Sequence, residues 1–166
     1  MKAVRVQLRP PEWSDMDFIR LLWGDVETMA AVGGPIHLTN DKAERWFRRM
    51  IDPGSSDNCY RLILNDDGQP VGEVSFHRLN AESMTGEFNI KVLSTQRGRG
   101  YAQEAISQFL DYFFNDLDGC VMVDRVATAN RLGQRALLRF GFEHDPSVKD
   151  VFMLRMTRER FNELYG

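Results

Sequence analysis

Residues 96 to 102 read Gln-Arg-Gly-Arg-Gly-Tyr-Ala, and Ala102, Gln103, Glu104 and Ala105 continue as the first turns of a helix. Upstream, Phe88, Ile90 and Val92 alternate with polar residues as in a strand. A strand, a glycine-rich turn and a helix start leave several backbone N–H groups unpaired at the positive end of the helix dipole. A phosphate or pyrophosphate can accept them. Gly98 and Gly100 permit the tight turn and close approach of the anion, while Arg97 and Arg99 add charge. A flexible turn that happens to hold two glycines is the plainer alternative. A Walker loop needs Gly-Lys-Ser/Thr after its last glycine, and Tyr101-Ala102 stand there. A dinucleotide fingerprint needs a third glycine where Gln103 lies.

The elements that must position this loop can be read along the chain. Val4, Val6 and Leu8 alternate with charged and polar residues until Pro10-Pro11 stops a first strand. Ser14 and Asp17 have capping-box spacing ahead of Phe18, Leu21 and Leu22, which predicts a first helix. Gly33-Gly34-Pro35 breaks the chain. Thr39-Asn40-Asp41 then caps a second helix carrying Ala43, Trp46, Phe47 and Met50. Tyr60 to Leu64 and Val71 to Leu79 flank a hairpin turn at Asn65-Asp66-Asp67-Gly68, and a fourth strand leads into the glycine turn. The helix after that turn has a buried face of Ala102, Ala105, Ile106, Phe109, Leu110 and Phe113. Val121 to Thr128 follows as a fifth strand, parallel to the fourth. Asn130 opens a last helix, ended by Gly141, and Phe142 to His144 and Val151 to Met156 supply two more strands.

Arg97, Gly100 and Ala102 match the R/Q-x-x-G-x-G/A loop that holds acyl-coenzyme A in the GNAT superfamily of N-acetyltransferases. The order of elements resembles that family over nearly the whole chain. Leu8-Arg9-Pro10, the Gly33-Gly34-Pro35 break and the helix with Trp46 look like the subgroup typified by the RimJ and RimL ribosomal-protein acetyltransferases. Asn130, Gly141 and Phe142 are similar to the family's N-x-x-S/A-x-x-x-Y-x-x-x-G-F block. Gly133 and Leu137 depart from it. The resemblance implies an α/β (α+β) fold: one domain over residues 1–166, with a mixed, mostly antiparallel sheet of about seven strands splayed between strands 4 and 5. About four helices would flank it.

The activity implied is transfer of an acetyl group from acetyl-CoA to a primary amine, by direct attack in a ternary complex. Backbone amides of Gly98, Arg99, Gly100, Tyr101 and Ala102 would hold the pyrophosphate, with Arg97 or Arg99 as added charge. The pantetheine arm would pair with the strand end at Val92 to Ser94, where an N–H near Val92 or Leu93 would stabilise the oxyanion. Asn130 would bond the arm, or act simply as a helix N-cap. Arg135 and Arg139 would reach a further phosphate, or form a solvated helix face. An ammonium must lose its proton before attack, so a carboxylate is expected nearby. Glu87 is the first candidate, with Glu73 and His77 in reserve. Glu73, Ser75 and His77 share one strand face, which lines the substrate cleft or faces water. His77 and His37 are candidate substrate contacts. Leu137 occupies the place of the tyrosine credited with protonating the thiolate, so another acid serves or the thiolate leaves unassisted. A thiol near pKa ~8.5 makes the second feasible.

The whole chain is consistent with these expectations. With 166 residues, 43% hydrophobic and 27% charged, it has the composition of a soluble globular domain, and no apolar run is long enough for a membrane span. The N-terminal residues lack a signal-peptide core, which points to the cytoplasm. A net charge of −3 with mixed signs argues against nucleic acid and suits an amine acceptor, a small molecule or a protein N-terminus. Cys59 and Cys120 lack metal-ligand or disulfide spacing, so buried free thiols and no metal are expected. Domains of this kind frequently form homodimers. Two other readings stand beside the enzyme: an acyl-CoA-binding sensor without turnover, favoured by Leu137, and a nucleotide-dependent enzyme, weakened by the missing Lys-Ser/Thr.

Overall fold

A strand buried along its length needs cover on both faces. Residues 71 to 76 are buried at every position, and in the computed structural model, which describes residues 5–166, they lie within a seven-stranded sheet that has helices on both sides. The strands are β1 (Gln7–Arg9), β2 (Cys59–Leu64), β3 (Pro70–Asn80), β4 (Thr85–Val92), β5 (Val121–Val126), β6 (Glu143–His144) and β7 (Phe152–Thr157). Their order across the sheet is β1-β2-β3-β4-β5-β7-β6. Every neighbouring pair is antiparallel except β4 and β5, which are parallel over Thr85–Glu87 against Val121–Val123 and then separate. This is the expected splayed, mostly antiparallel sheet. Val4 of the expected first strand lies outside the described residues.

Among the described residues six α-helices accompany the sheet: α1 (Met16–Gly24), α2 (Val26–Met29), α3 (Asn40–Met50), α4 (Tyr101–Asp111), α5 (Arg131–Phe140) and α6 (Arg158–Tyr165). Two more than expected are present. α2 is a single turn capped by Asp25, and α6 is capped by the Thr157 hydroxyl, which accepts from the Arg160 N–H at 3.2 Å. The cap of α1 also differs from the expected Ser14/Asp17 box. Asp15 accepts from the Glu12 N–H at 2.7 Å and pairs with Arg9 at 2.7 Å, and its hydrogen bond from Arg9 holds the carboxyl below its ordinary range. α1 buries Met16, Ile19 and Leu22, so the expected Leu21 is exposed.

Alternation along the strands divides the interior in two. One face of β2 gives Tyr60, Leu62 and Leu64 to a core with Met16, Ile19, Ala43, Trp46 and Met50 of α1 and α3. The other core is aromatic, joining Phe76 and Phe88 to Phe109, Phe113, Phe140, Phe142 and Phe161. Past α4 the helix widens over Tyr112–Asp116, where the Leu117 N–H reaches back five residues to the Tyr112 carbonyl at 3.0 Å. That extra residue per turn lets the consecutive Phe113 and Phe114 both enter the core. Cutting either back to alanine would cost about 3–5 kcal/mol. Trp46 is core as expected, but Trp13 is half exposed on the edge of Phe47. Both cysteines are free; Cys59 is buried and Cys120 is exposed, against expectation for the second. Among the described residues no helix is long and apolar enough to cross a membrane, and no cluster of His, Cys, Asp and Glu could hold a metal ion.

Candidate active site

Where β4 and β5 separate, each remains paired on its outer side: β4 to β3 as far as Val92, and β5 to β7 as far as Val126. Strand twist carries the two apart and opens a slot edged by backbone groups without a ladder partner. Antiparallel backbone groups face alternately toward and away from a partner strand. The Leu93 N–H donates to the Val71 carbonyl at 2.8 Å, so it is committed to the sheet and is not a free oxyanion donor, contrary to expectation. By the same alternation the Val92 N–H turns into the slot.

The slot ends at the glycine turn. Gly98 and Gly100 have φ of +77° and +86°, a region that disfavours any side chain, and Gly100 is the N-cap of α4. Among the described residues, no carbonyl or side chain accepts from the N–H groups of residues 98 to 103. The first bond of the helix runs from Glu104 N–H to the Gly100 carbonyl at 3.3 Å. A Cβ at Gly98 would meet nothing within 4 Å, so the cradle is open to a ligand. A cavity of about 300 Å³ spreads from this turn, lined by Val92, Arg97, Tyr101 and Ala102 on one side and by Arg135 and Arg139 of α5 on the other. Six free donors at a helix start, with two facing guanidinium groups, fit a pyrophosphate with a further phosphate. Arg99 is not among the residues that line it, and Arg97 donates to the Thr28 carbonyl at 3.3 Å. That second contact belongs to a knot linking α2 to the loop: Asp25 accepts from the Thr28 N–H, the Thr28 hydroxyl and the Ser94 hydroxyl, and the Ser94 N–H donates to Thr28 Oγ1 at 2.9 Å. These bonds, first those from Thr28 and then that from Ser94, hold the Asp25 carboxyl below its ordinary range.

A second cavity, about 490 Å³, occupies the slot itself. Glu87, Asn89 and Lys91 of β4, His77 of β3, and Asp124 and Arg125 of β5 line it, with Asn130, Ala136 and Leu137 of α5. Met29, Ala31, Val32 and Ile36 wall the remaining side. Glu87 lies opposite His77 in the β3–β4 register. Its oxygens stand 3.8 Å from Arg78 Nη1 and 3.8 Å from Arg125 Nε, distances too long for hydrogen bonds. Its acceptors therefore remain available. Burial pushes the His77 imidazole below its ordinary value, with Lys91 and Arg78 adding to the effect against the opposing charges of Glu73 and Glu87. The ring is neutral at pH 7, and its Nε2 lies 3.0 Å from Ser75 Oγ.

The structure separates the other candidates. Glu73 is buried outside the cavity, its carboxylate fixed by the indole N–H of Trp23, so it is poorly placed to receive a proton from a substrate. Ser75 is likewise buried, and of that strand face only His77 reaches the cavity. His37 is exposed and lines a separate depression with Arg20, Gly24 and Leu38. Asn130 does cap α5, its Oδ1 accepting from the Gly133 N–H at 3.0 Å, yet its amide N–H₂ donates to nothing among the described residues and it lines the slot. A Cβ at residue 133 would lie 2.6 Å from Asn130 Nδ2, which accounts for glycine there. Leu137 is buried, and no Ser, Thr, Tyr or Cys lines this cavity.

Asp124 was not among the expected residues. It is half-buried in β5, faces the cavity and makes no hydrogen bond or ion pair among the described residues. Burial pushes its carboxyl up to about 7, with Lys91 opposing and Glu87 reinforcing the rise. The one sequence signal was an acid directly after the apolar run Val121-Met122-Val123 of a strand.

The family model for the acetyltransferase (GNAT) domain matches residues 5–143. A spermidine N(1)-acetyltransferase of Vibrio cholerae is 23% identical over 163 residues, 97% of this chain and 92% of that protein. An uncharacterized N-acetyltransferase p20 of Bacillus licheniformis is 23% identical over 149 residues, 88% of this chain and 83% of that protein. The crystal structure of a V. cholerae spermidine N-acetyltransferase in complex with CoA and spermine superposes with a TM-score of 0.84 at 20% identity, over 95% of this chain and 98% of that one. A dodecameric structure of spermidine N-acetyltransferase from the same organism gives 0.76 at 18% identity, over 97% and 98%.

Proposed function

The chain belongs to the GNAT acetyltransferases, enzymes that use acetyl-CoA, and from that premise we propose that its acceptor is a small alkylamine, with Glu87 as the group that receives the ammonium proton. The observation that carries this reading is the slot cavity. It has an apolar wall at Met29, Ala31, Val32 and Ile36 and a carboxylate with free acceptors on the opposite side. Methylene groups fit against the first and an ammonium is drawn to the second.

The thioester of bound acetyl-CoA supplies the activated acetyl group. The chain supplies the rest. The N–H groups of residues 98 to 103 hold the pyrophosphate, and Arg135 and Arg139 face it from α5. The Val92 N–H and the Asn130 amide donate to the arm in the slot, and a donor fixed before reaction stabilises developing charge without reorganisation. Glu87, flanked by Arg78 and Arg125 at 3.8 Å with its acceptors free, takes the proton that would otherwise block the amine lone pair. His77, neutral and adjacent, is the second acceptor. Names of relatives make spermidine and spermine the first amines to test, and the RimJ/RimL-like features make a protein N-terminal amine the next. We place the protein in the cytoplasm as a homo-oligomer, by analogy with the dodecameric structure.

The test has two steps. Acetyl-CoA at ~100 times its dissociation constant should add ~2.7 kcal/mol to stability, read as a raised unfolding temperature, and Mg-ATP should add none. Thiol release with a panel of polyamines, amino acids and peptide N-termini then identifies the acceptor. Glu87→Gln should lower kcat by about 10² or more while acetyl-CoA binding persists. Binding without thiol release from any amine would support the acyl-CoA sensor, a reading that Leu137 favours by leaving α5 without a hydroxyl in the slot.

A further inference from the structure

We propose that Asp124 is the proton donor to the leaving sulfur in this active site. The inference rests on the acetyl-transfer reading above and concerns the opposite side of the slot from Glu87.

Transfer requires two proton movements of opposite sense: the nitrogen must lose protons and the sulfur must gain one. A single cavity performs both when it holds two acidic groups whose surroundings drive their proton affinities apart. The slot holds two carboxyl groups in unlike surroundings. Glu87 on β4 has Arg78 and Arg125 at 3.8 Å, is partly open to solvent and keeps its acceptors free. Asp124 on β5 has no hydrogen-bond donor or paired cation among the described residues and is desolvated, an environment that keeps its proton on. The charged groups around it are Lys91 and Glu87 across the slot on β4, His77 beyond them on β3, and Arg125 next to it on β5. α5 offers only Asn130, Gly133, Ala136 and Leu137 to the cavity, and β7 places Leu154 opposite. Lys91 opposes retention of the proton, and burial and Glu87 outweigh it.

No other group on that side can serve. Among the described residues the β5–α5 wall contains no hydroxyl or thiol, and a guanidinium such as that of Arg125 does not give up its proton in a protein. In the step itself the amine lone pair forms the N–C bond, the C–S bond breaks with its electrons on sulfur, and the Asp124 O–H proton goes to that sulfur. Of the two protons lost by the ammonium nitrogen, both pass through Glu87 to water; water returns one to the Asp124 carboxylate. A carboxyl titrating near neutrality is a stronger acid than a thiol near ~8.5, so the transfer runs downhill.

The experiment compares the wild type with Asp124→Asn and Asp124→Glu. Carbon-13 NMR of the ligand-free wild type should show one carboxyl titrating between pH ~6 and ~8, absent from the asparagine variant. Asp124→Asn should bind acetyl-CoA within about threefold of wild type by calorimetry, lose kcat by about 10², and lose the alkaline limb of the kcat profile; Asp124→Glu should recover part of both. The proposal is overturned if no carboxyl titrates in that range, if the asparagine variant keeps wild-type kcat or its alkaline limb, or if it loses acetyl-CoA binding along with activity. A wild type that acetyl-CoA does not stabilise overturns the acetyl-transfer reading itself, and is told apart by that result.

Discussion

Replacing Asp124 by asparagine should stabilise the protein, and by an amount that depends on pH. Asparagine matches the shape of the carboxyl and cannot ionise. In the folded wild type the proton is held up to about 7, whereas an ordinary aspartate releases it near 3.8. Between those values the native state binds more protons than the unfolded chain, so wild-type stability falls as pH rises through that window. The loss begins above 3.8 and is complete above about 7. At about 1.4 kcal/mol per pH unit the full interval is worth roughly 4 kcal/mol. Water in the open cavity screens part of this, leaving roughly 2 kcal/mol. For a chain of this length that is a rise of roughly 4–8 °C in unfolding temperature at pH ~8. Urea and thermal unfolding of both proteins at pH ~4 and pH ~8 isolate the effect, because groups such as Asp15 and Asp25 contribute equally to each. An advantage for the variant that is the same at both pH values, or a variant less stable at the higher one, would refute the claim that Asp124 is an unpaired, desolvated acid.

Other consequences concern the same two cavities. Ala102→Glu puts bulk and negative charge into the cradle of free N–H groups, and should abolish stabilisation by acetyl-CoA while leaving the ligand-free fold intact; unchanged affinity by calorimetry would remove the cofactor assignment. Gly133→Ala drives a Cβ against Asn130 Nδ2, so the cap of about 1 kcal/mol is lost and the helical alanine returns about as much. Stability should hardly move, but acetyl-CoA should bind more weakly, since the displaced Asn130 amide no longer reaches the slot. His77 is kept neutral by burial, so its contribution is present above pH 6.5 and is lost as pH falls through its lower folded value. His77→Gln should therefore flatten the acid side of the stability profile, measured by unfolding midpoints from neutral pH downward.

What could be read from residues alone were features written in consecutive positions. Gly98 and Gly100 announce a turn at positive φ, with a strand end before it and a helix start after it within a few residues, so the turn itself was legible. Glu87 was legible as a candidate because strand alternation and its distance from the turn fix where it can be. Glu73 has the same strand periodicity, yet its fate is decided by Trp23, fifty residues earlier, whose indole N–H occupies the carboxylate. Nothing local encodes that meeting. α6 escaped notice since its one buried residue, Phe161, leaves little hydrophobic period to detect, although Thr157 gave the cap.

Asp124 shows why the remainder was hidden. Along β5 it follows Val121, Met122 and Val123, and alternation alone places it with Met122 and Val126, residues of the aromatic core. An acid on a core face reads as a mistake in the strand unless the strand is known to leave its neighbour at that point. The β4–β5 ladder ends at Glu87 and Val123, one residue before Asp124. The position that would be inside a closed sheet is thereby the first to face the slot, where a carboxyl is dry enough to keep a proton and open enough to give it away. The chemistry of this side chain is set by where two strands part, and that depends on the partners each keeps on its far side, β3 for one and β7 for the other.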